Sequence, residues 1–144
     1  MDARKNVLVV EDDTNLAKGL GAILDRLGYG VSYAKDAKEG AAMASEADLV
    51  FLDLRLPGVS GEVLLEDLRH AGNYIPVVVM SAMVPREEAV VRLKKHGIVD
   101  FLEKPFSLRE VADKAGKASK MCDKLHGVIL NTDRLKGFIE RQAR

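Results

Sequence analysis

Residues 49–61 read Leu-Val-Phe-Leu-Asp-Leu-Arg-Leu-Pro-Gly-Val-Ser-Gly, and their reading decides the fold. The apolar run Leu49 to Leu52 has the unbroken hydrophobicity of a strand covered on both faces. It ends on a carboxylate, Asp53, and the turn signal Pro57-Gly58 follows shortly after. A charge at the tip of a buried strand is costly unless something pairs with it. Asp53 is therefore either a reagent that other segments supply with partners, or a turn residue placed one position early.

The flanking sequence repeats this punctuation. Val7 to Val10 is a second unbroken apolar run, followed by Leu16, Leu20, Ile23, Leu24 and Leu27 at helical spacing and by Gly28 as a helix stop. Val31 to Ala34 reads as a strand, and Asp36 with Glu39 as a capping pair for a helix to about Ser45. Beyond the opening stretch, Ser60 is placed to cap a helix carrying Val63 to Leu68. Pro76 to Met80 is a fourth buried strand with its proline at the start, where the missing N–H is tolerated. A helix from Arg86 to His96 stops at Gly97, and Ile98 to Leu102 forms a fifth strand. After Pro105, the positions Leu108, Val111, Ala112, Ala115, Ala118, Cys122 and Leu125 mark one face of a last long helix. Strands alternating with helices in this way predict a parallel sheet with helices on both sides.

Composition narrows the function classes. The chain has 144 residues, 22 basic against 22 acidic, so no global field points to nucleic acid or an anionic membrane. Its length suits one domain with a substantial core. No apolar run approaches the ~20 residues that cross a bilayer, and the N-terminal segment is too abrupt for a signal peptide. The single cysteine, Cys122, excludes an intrachain disulfide and offers no metal-binding cluster; it fits a reducing, cytoplasmic setting. Cys122 reads most simply as a small buried residue. His70, His96 and His126 fall near expected helix ends, where a cation facing the dipole is explanation enough.

In parallel α/β sheets, ligands gather at the carboxyl ends of the strands, beside the point where strand order reverses. The first strand runs into Glu11-Asp12-Asp13, the third ends on Asp53, the fourth on Ser81, and the fifth leads to Lys104 before Pro105. Carboxylates crowded at one edge raise one another's pKa and call for a cation. A hard divalent ion, Mg²⁺ or Mn²⁺, takes oxygen ligands of this kind. Lys104 adds a compact positive charge. A nucleophilic carboxylate, a metal and a lysine together suit phosphoryl transfer, where positioning and charge neutralisation do most of the catalysis. Asp53 would then attack phosphorus and become an acyl phosphate, and the turn after it would offer the Arg55 backbone carbonyl to the metal.

Four motifs carry a resemblance: "VLVVEDD" (Val7 to Asp13), "FLDLRLPGVSG" (Phe51 to Gly61), "VVVMSA" (Val77 to Ala82) and "DFLEKPF" (Asp100 to Phe106). In this order they resemble the receiver domain of two-component response regulators, over roughly residues 5 to 122. The resemblance implies a flavodoxin-like, doubly wound sheet in the order 2-1-3-4-5, with a receiver domain over residues 1–123 and a helical extension over 124–144. It implies that Asp53 is the phosphoacceptor, and that Asp12 is a direct Mg²⁺ ligand with Glu11 acting through water. Ser81 is the implied hydroxyl and Lys104 the implied lysine of the site, Phe101 the aromatic switch, and Asp13 a helix cap. It also implies a cis Lys104-Pro105 bond. Implied partners are a histidine kinase or phosphotransfer protein and a downstream protein or output domain, reached through the face made by the fourth helix, fifth strand and fifth helix. A homodimer through that face is compatible; direct nucleic-acid or membrane binding is not expected.

On such a reading the chain catalyses only its own phosphorylation and dephosphorylation. Arg55 and Met83, two residues after Asp53 and Ser81, are placed to hinder an attacking water. Competing readings remain. A phosphorylation-independent interaction module would have no use for so costly an acidic set. A hydrolase working through an aspartyl phosphate would want an acid where Arg55 stands, and a flavin phosphate would want hydroxyls and amides where this chain has acids. Singly, Ser81 is more often bonded to nearby backbone and Phe101 is as readily core as switch. The segment from Leu125 shows a helix stop at His126-Gly127, then a cap at Asn131 or Thr132 and a short helix with Leu135, Phe138 and Ile139 on one side. That helix would pack on the domain or face a partner. The chain is either self-standing or part of a longer regulator.

Overall fold

A computed structural model describes residues 4–83 and 85–142, with side chains described through Gly127. Five parallel strands form one sheet in the order β2-β1-β3-β4-β5. They are β1 (Asn6–Val10), β2 (Gly30–Ala34), β3 (Leu49–Asp53), β4 (Val77–Ser81) and β5 (Asp100–Glu103). Between and after them lie α1 (Thr14–Arg26), α2 (Ala37–Met43) with a short 3₁₀ turn at Ala44–Glu46, α3 (Gly61–His70), α4 (Glu87–Lys95) and α5 (Leu108–Gln142). This is the expected flavodoxin-like topology.

The alternation of side chains along each strand divides the core into two layers. Leu8 and Val10, Val50 and Leu52, Val77 and Val79 face one way and pack with Leu64, Leu65 and Leu68 of α3 and Leu93 of α4. Val7 and Val9, Leu49 and Phe51, Val78 and Met80 face the other way, against Leu20 and Leu24 of α1 and Val111, Ala115 and Ala118 of α5. Covering both faces explains why these strands are apolar without a break. β3 is central and every one of its residues is buried.

Local chemistry sets the helix starts. Asp13 caps α1 by accepting from the Leu16 amide at 3.1 Å, as the sequence implied. Asp36 accepts from Glu39 N at 2.8 Å while Glu39 Oε2 accepts from Lys35 N at 2.9 Å. Ser60 caps α3 through Val63 N. Ser107 and Glu110 form a reciprocal box at the start of α5, each accepting from the other's amide. Arg69, in the last turn of α3, donates to the carbonyls of His96, Asn73 and Ile75, and so ties the ends of α3 and α4 to the approach to β4.

Two sequence expectations need correction. β5 starts at Asp100 rather than Ile98, because Asp100 is the first residue in register with β4. The break expected at His126-Gly127, with a separate helix capped by Asn131 or Thr132, is absent, and α5 runs on to Gln142. Gly127 lacks the positive φ of a helix-ending glycine, and one interior glycine costs a helix only ~1 kcal/mol. The side chains of Leu135, Phe138 and Ile139 lie outside the described residues.

Gly61, the first residue of α3, donates its amide to Leu54 O, and a Cβ there would lie 2.1 Å from the Asp53 carbonyl oxygen. That neighbour is backbone and has no rotamer to give. Gly61→Ala should destabilise the fold by about 1–3 kcal/mol, read as a lower urea midpoint; an unchanged midpoint would contradict the close approach.

Asp100 anchors β5 to α5, accepting from Lys114 Nζ at 2.8 Å and Lys117 Nζ at 2.9 Å. Partial burial works against its ionised form, but the two ammonium hydrogen bonds prevail and hold its pKa at about 2. The folded value lies below the unfolded one of ~3.9. The unfolded chain therefore binds the proton first, and this contribution is complete above about pH 4 and lost as pH falls through 2. The stability gap between wild type and Asp100→Asn, from urea unfolding, should narrow on going from pH 6 to pH 3. A gap that stays constant would refute the assignment.

Candidate functional site at the carboxyl edge of the sheet

The chain leaves β1 for β2 on one side and reaches β3 on the other, so the strand order reverses between β1 and β3. Val10 pairs with Leu52, so the next residues, Glu11 and Asp53, emerge side by side at the crevice this reversal opens. Asp53 is still within β3, opposite Met80 of β4. Its carboxylate is therefore aimed by a strand buried on both faces rather than by a loop.

Glu11 is 4% exposed and Asp53 5%, and both are buried carboxylates. Their common partner is Lys104, whose Nζ lies 2.7 Å from Glu11 Oε2 and 3.3 Å from Asp53 Oδ2. The remaining oxygens are served by backbone: Glu11 Oε1 accepts from Asp13 N at 3.2 Å, and Asp53 Oδ1 from Arg55 N at 3.1 Å. Carboxylate oxygens of Glu11, Asp12 and Asp53 come within 4.8 Å of one another, with Asp12 on the exposed side.

Burial pushes the Glu11 carboxyl up from its usual range and the Asp53 charge adds to this, while Lys104 opposes both. Burial alone would lower the Lys104 ammonium, but its hydrogen bond to Glu11 and the charge of Asp53 outweigh burial and raise it. The lysine thus stays charged, and the acids share one cation. Three carboxylates around one ammonium leave an excess of negative charge with oxygens open to solvent through Asp12. That is a donor set suited to a hard divalent cation.

Ser81, the last residue of β4, spends its hydroxyl on backbone rather than on a carboxylate. Ser81 Oγ donates to Met83 O at 2.5 Å and accepts from Met83 N at 3.3 Å. Its carbonyl accepts from Lys104 N at 2.8 Å, so backbone joins the serine to the lysine's loop. The Lys104-Pro105 bond is cis. Phe101 lies in β5, half-buried against the layer that contains Leu93 and Val79. The side chains of Arg55 and Met83 meet: Arg55 Nη2 lies 3.4 Å from Met83 Sδ, with the methionine 63% exposed. Of the residues expected from sequence, Glu11, Asp12, Asp53 and Lys104 are in one cluster, Arg55 and Met83 at its rim, and Ser81 and Phe101 beside it.

Sequence reasoning passed over Gly61, whose lack of a side chain lets α3 start against the Asp53 carbonyl. The Ser-Gly pair before an apolar helix was its only signal. Sequence reasoning also gave Cys122 and His126 no partners. They lie with Asp48 at the opposite edge of the sheet, where one ligating atom from each comes within 4.8 Å of the others.

Comparison with known proteins agrees with this geometry. The response regulator receiver domain family matches residues 7–115. Among curated relatives, the transcriptional activator protein PfeR of Pseudomonas aeruginosa is 40% identical over 107 residues, 73% of this chain and 34% of that protein. The transcriptional regulatory protein QseB of Escherichia coli O157:H7 is 36% identical over 108 residues, 74% of this chain and 49% of that one. The chain thus spans half or less of the length of these relatives. Among solved structures, the response regulator StyR superimposes with a TM-score of 0.83 at 27% identity, over 96% of this chain and 70% of that one. A CheY-like response regulator receiver domain from Methanospirillum hungatei gives 0.76 at 27% identity, over 85% of this chain and 98% of that one. With the family matched across most of its sheet and its acidic edge intact, the chain belongs to the response regulator receiver domains of two-component systems.

Proposed function

We propose that this receiver is a working phosphoacceptor switch, in which Asp53 takes a phosphoryl group from a histidine kinase or phosphotransfer protein. The observation that carries this reading is the buried Asp53 carboxylate held 3.3 Å from the Lys104 ammonium beside Glu11. An Asp53 oxygen attacks phosphorus as the P–N bond to the donor histidine breaks, leaving an acyl phosphate and a neutral imidazole. Lys104 holds positive charge where the phosphoryl oxygens gain negative charge. Glu11, Asp12 and Asp53, with the Arg55 carbonyl, are the groups that would hold Mg²⁺ or Mn²⁺. When bound, that ion supplies charge neutralisation to the phosphoryl oxygens.

The new dianion attracts the Ser81 hydroxyl away from Met83. Rotation about one side-chain torsion exchanges the 2.5 Å bond to Met83 O for a bond to the phosphoryl group. Phe101 then repacks behind it, and the face formed by α4, β5 and α5 changes shape. A groove of about 710 Å³ on that face, lined by Met83, Val90, Phe101 and Arg109 among others, is the surface offered to a downstream protein, an output domain or a second copy. Two packings separated by a few kcal/mol suffice for such a shift.

The receiver body is taken as residues 1–123 and the rest of α5 as its extension. The chain works as a signalling phosphoprotein that catalyses its own phosphorylation and dephosphorylation. Among the described residues no helix is long and apolar enough to cross a membrane; a cytoplasmic location and no direct contact with nucleic acid complete the reading.

Incubation with a small phosphodonor and Mg²⁺, followed by intact mass, should add one phosphoryl group to the wild type. Asp53→Asn and chelated samples should gain none. Labelling that persists in Asp53→Asn would overturn the assignment, and a wild type that takes no phosphoryl group would favour a phosphorylation-independent module.

The contact between Arg55 and Met83, two residues after Asp53 and Ser81, supports a role for both side chains in hindering a hydrolytic water. Arg55→Ala and Met83→Ala should each speed loss of the phosphoryl group by up to about tenfold, ~1.4 kcal/mol of barrier. Equal decay rates in wild type and both variants would dismiss this role.

A further inference from the structure

At the edge of the sheet opposite Asp53, a cavity of about 560 Å³ lies between the approach to β3, the residues before β4 and the middle of α5. Asp48, Cys122 and His126 all line it. Cys122 and His126 stand one helical turn apart on α5, which brings their side chains to the same face. Cys122 Sγ is 4.0 Å from His126 Nε2, and a carboxylate oxygen of Asp48 completes a triangle whose corners are within 4.8 Å.

We propose that Asp48, Cys122 and His126 form a second metal site that takes Zn²⁺, with a water as fourth ligand. The donor set selects the ion. One thiolate, one imidazole and one carboxylate suit borderline-soft Zn²⁺, whereas Mg²⁺ and Ca²⁺ demand oxygens. Tetrahedral bonds of ~2.0–2.3 Å set ligand atoms about 3.3–3.8 Å apart, slightly closer than the 4.0 Å between sulfur and nitrogen here. Because His126 is exposed, its ring is at liberty to close that difference.

The surroundings are arranged for it. Asp48 Oδ2 accepts from the Asn6 amide at 2.7 Å, which orients the carboxylate and uses one of its oxygens. The nearby Lys5 ammonium is taken up by Asp123 at 2.9 Å and Ser119 at 2.6 Å. Binding replaces the thiol proton, Cys–SH plus M²⁺ giving Cys–S⁻–M²⁺ plus H⁺ released to buffer. Two anionic ligands then neutralise the dication. The site is separate from the acidic pocket: Asp48 precedes β3 and Asp53 ends it, about 17 Å apart along an extended strand. Its effect would be to staple α5 to the sheet near the point where the helix continues toward Gln142.

Cobalt is the probe. Cys122 is the chain's single cysteine, so thiolate-to-cobalt charge-transfer absorption reports on it alone. With the acidic pocket saturated by Mg²⁺, Co²⁺ should produce that band at one equivalent per monomer, and Zn²⁺ should erase it. Cys122→Ser should abolish the band. His126→Ala, at an exposed position, and Asp48→Asn should each weaken binding at least tenfold. No band in wild type would overturn the site. So would a band that survives both the His126→Ala and Asp48→Asn changes, or one found only in a species of twice the chain's mass.

Discussion

One ammonium group holds the carboxyl edge of this protein together. Glu11 and Asp53 are carried there by the two strands that flank the reversal in strand order, and both are almost completely buried. Left alone, such a pair keeps its charge only at a large desolvation cost. Lys104 reaches both, 2.7 Å from one and 3.3 Å from the other, and its own loop is fixed by the bond from its amide to Ser81 O. Three segments far apart in sequence thus meet through one cation. The site is well partnered and yet under-neutralised, since Asp12 adds a further carboxylate that Lys104 does not pair with. A group that adds positive charge to this edge relieves the excess.

Most of the fold was legible because the physics that builds it is local or periodic. The unbroken apolar runs Val7 to Val10, Leu49 to Leu52 and Val77 to Met80 carry burial on both faces in plain view, and Asp13, Asp36 and Ser60 sit where caps must sit. The position of Asp53 was legible for the same reason: its strand could be recognised, and strand ends gather at one edge. Three things were not. The continuity of α5 past Gly127 turns on a competition between a modest glycine penalty and the rest of a long helix, and a single residue type does not decide it. The Gly61 requirement is a close approach between backbones, which leaves no mark in hydrophobic pattern. The meeting of Asp48 with Cys122 and His126 joins residues more than seventy positions apart and appears only when α5 is laid against the sheet.

The direction in which Ser81's hydroxyl points shows how the bland and functional readings of one residue coexist. Bonded to the Met83 backbone, it does what serines commonly do near a strand end. Those bonds belong to a loop whose side chains are largely exposed, so giving them up disturbs no core packing. The hydroxyl is therefore satisfied locally, by one short turn of backbone.

Where motion occurs follows from the distribution of packing. β3 is buried along its whole length, and interiors this dense resist graded deformation. α3 places Gly61, Leu64, Leu65 and Leu68 in the interior, whereas α4 buries Leu93 alone. Phe101 and Ser81 are half-buried at the β4–β5 side of the sheet. Asp53 therefore sits between a densely packed centre on one hand and a lightly held helix on the other. The fewest apolar contacts lie along the end of β4 and the α4 face, where local opening costs least. The asymmetry is one of burial rather than of apolar count, because α4, Glu-Glu-Ala-Val-Val-Arg-Leu-Lys-Lys over residues 87–95, has four apolar residues and buries one of them. α4 is thus the helix least tied to the core that positions the carboxylates, with Leu93 its one buried residue.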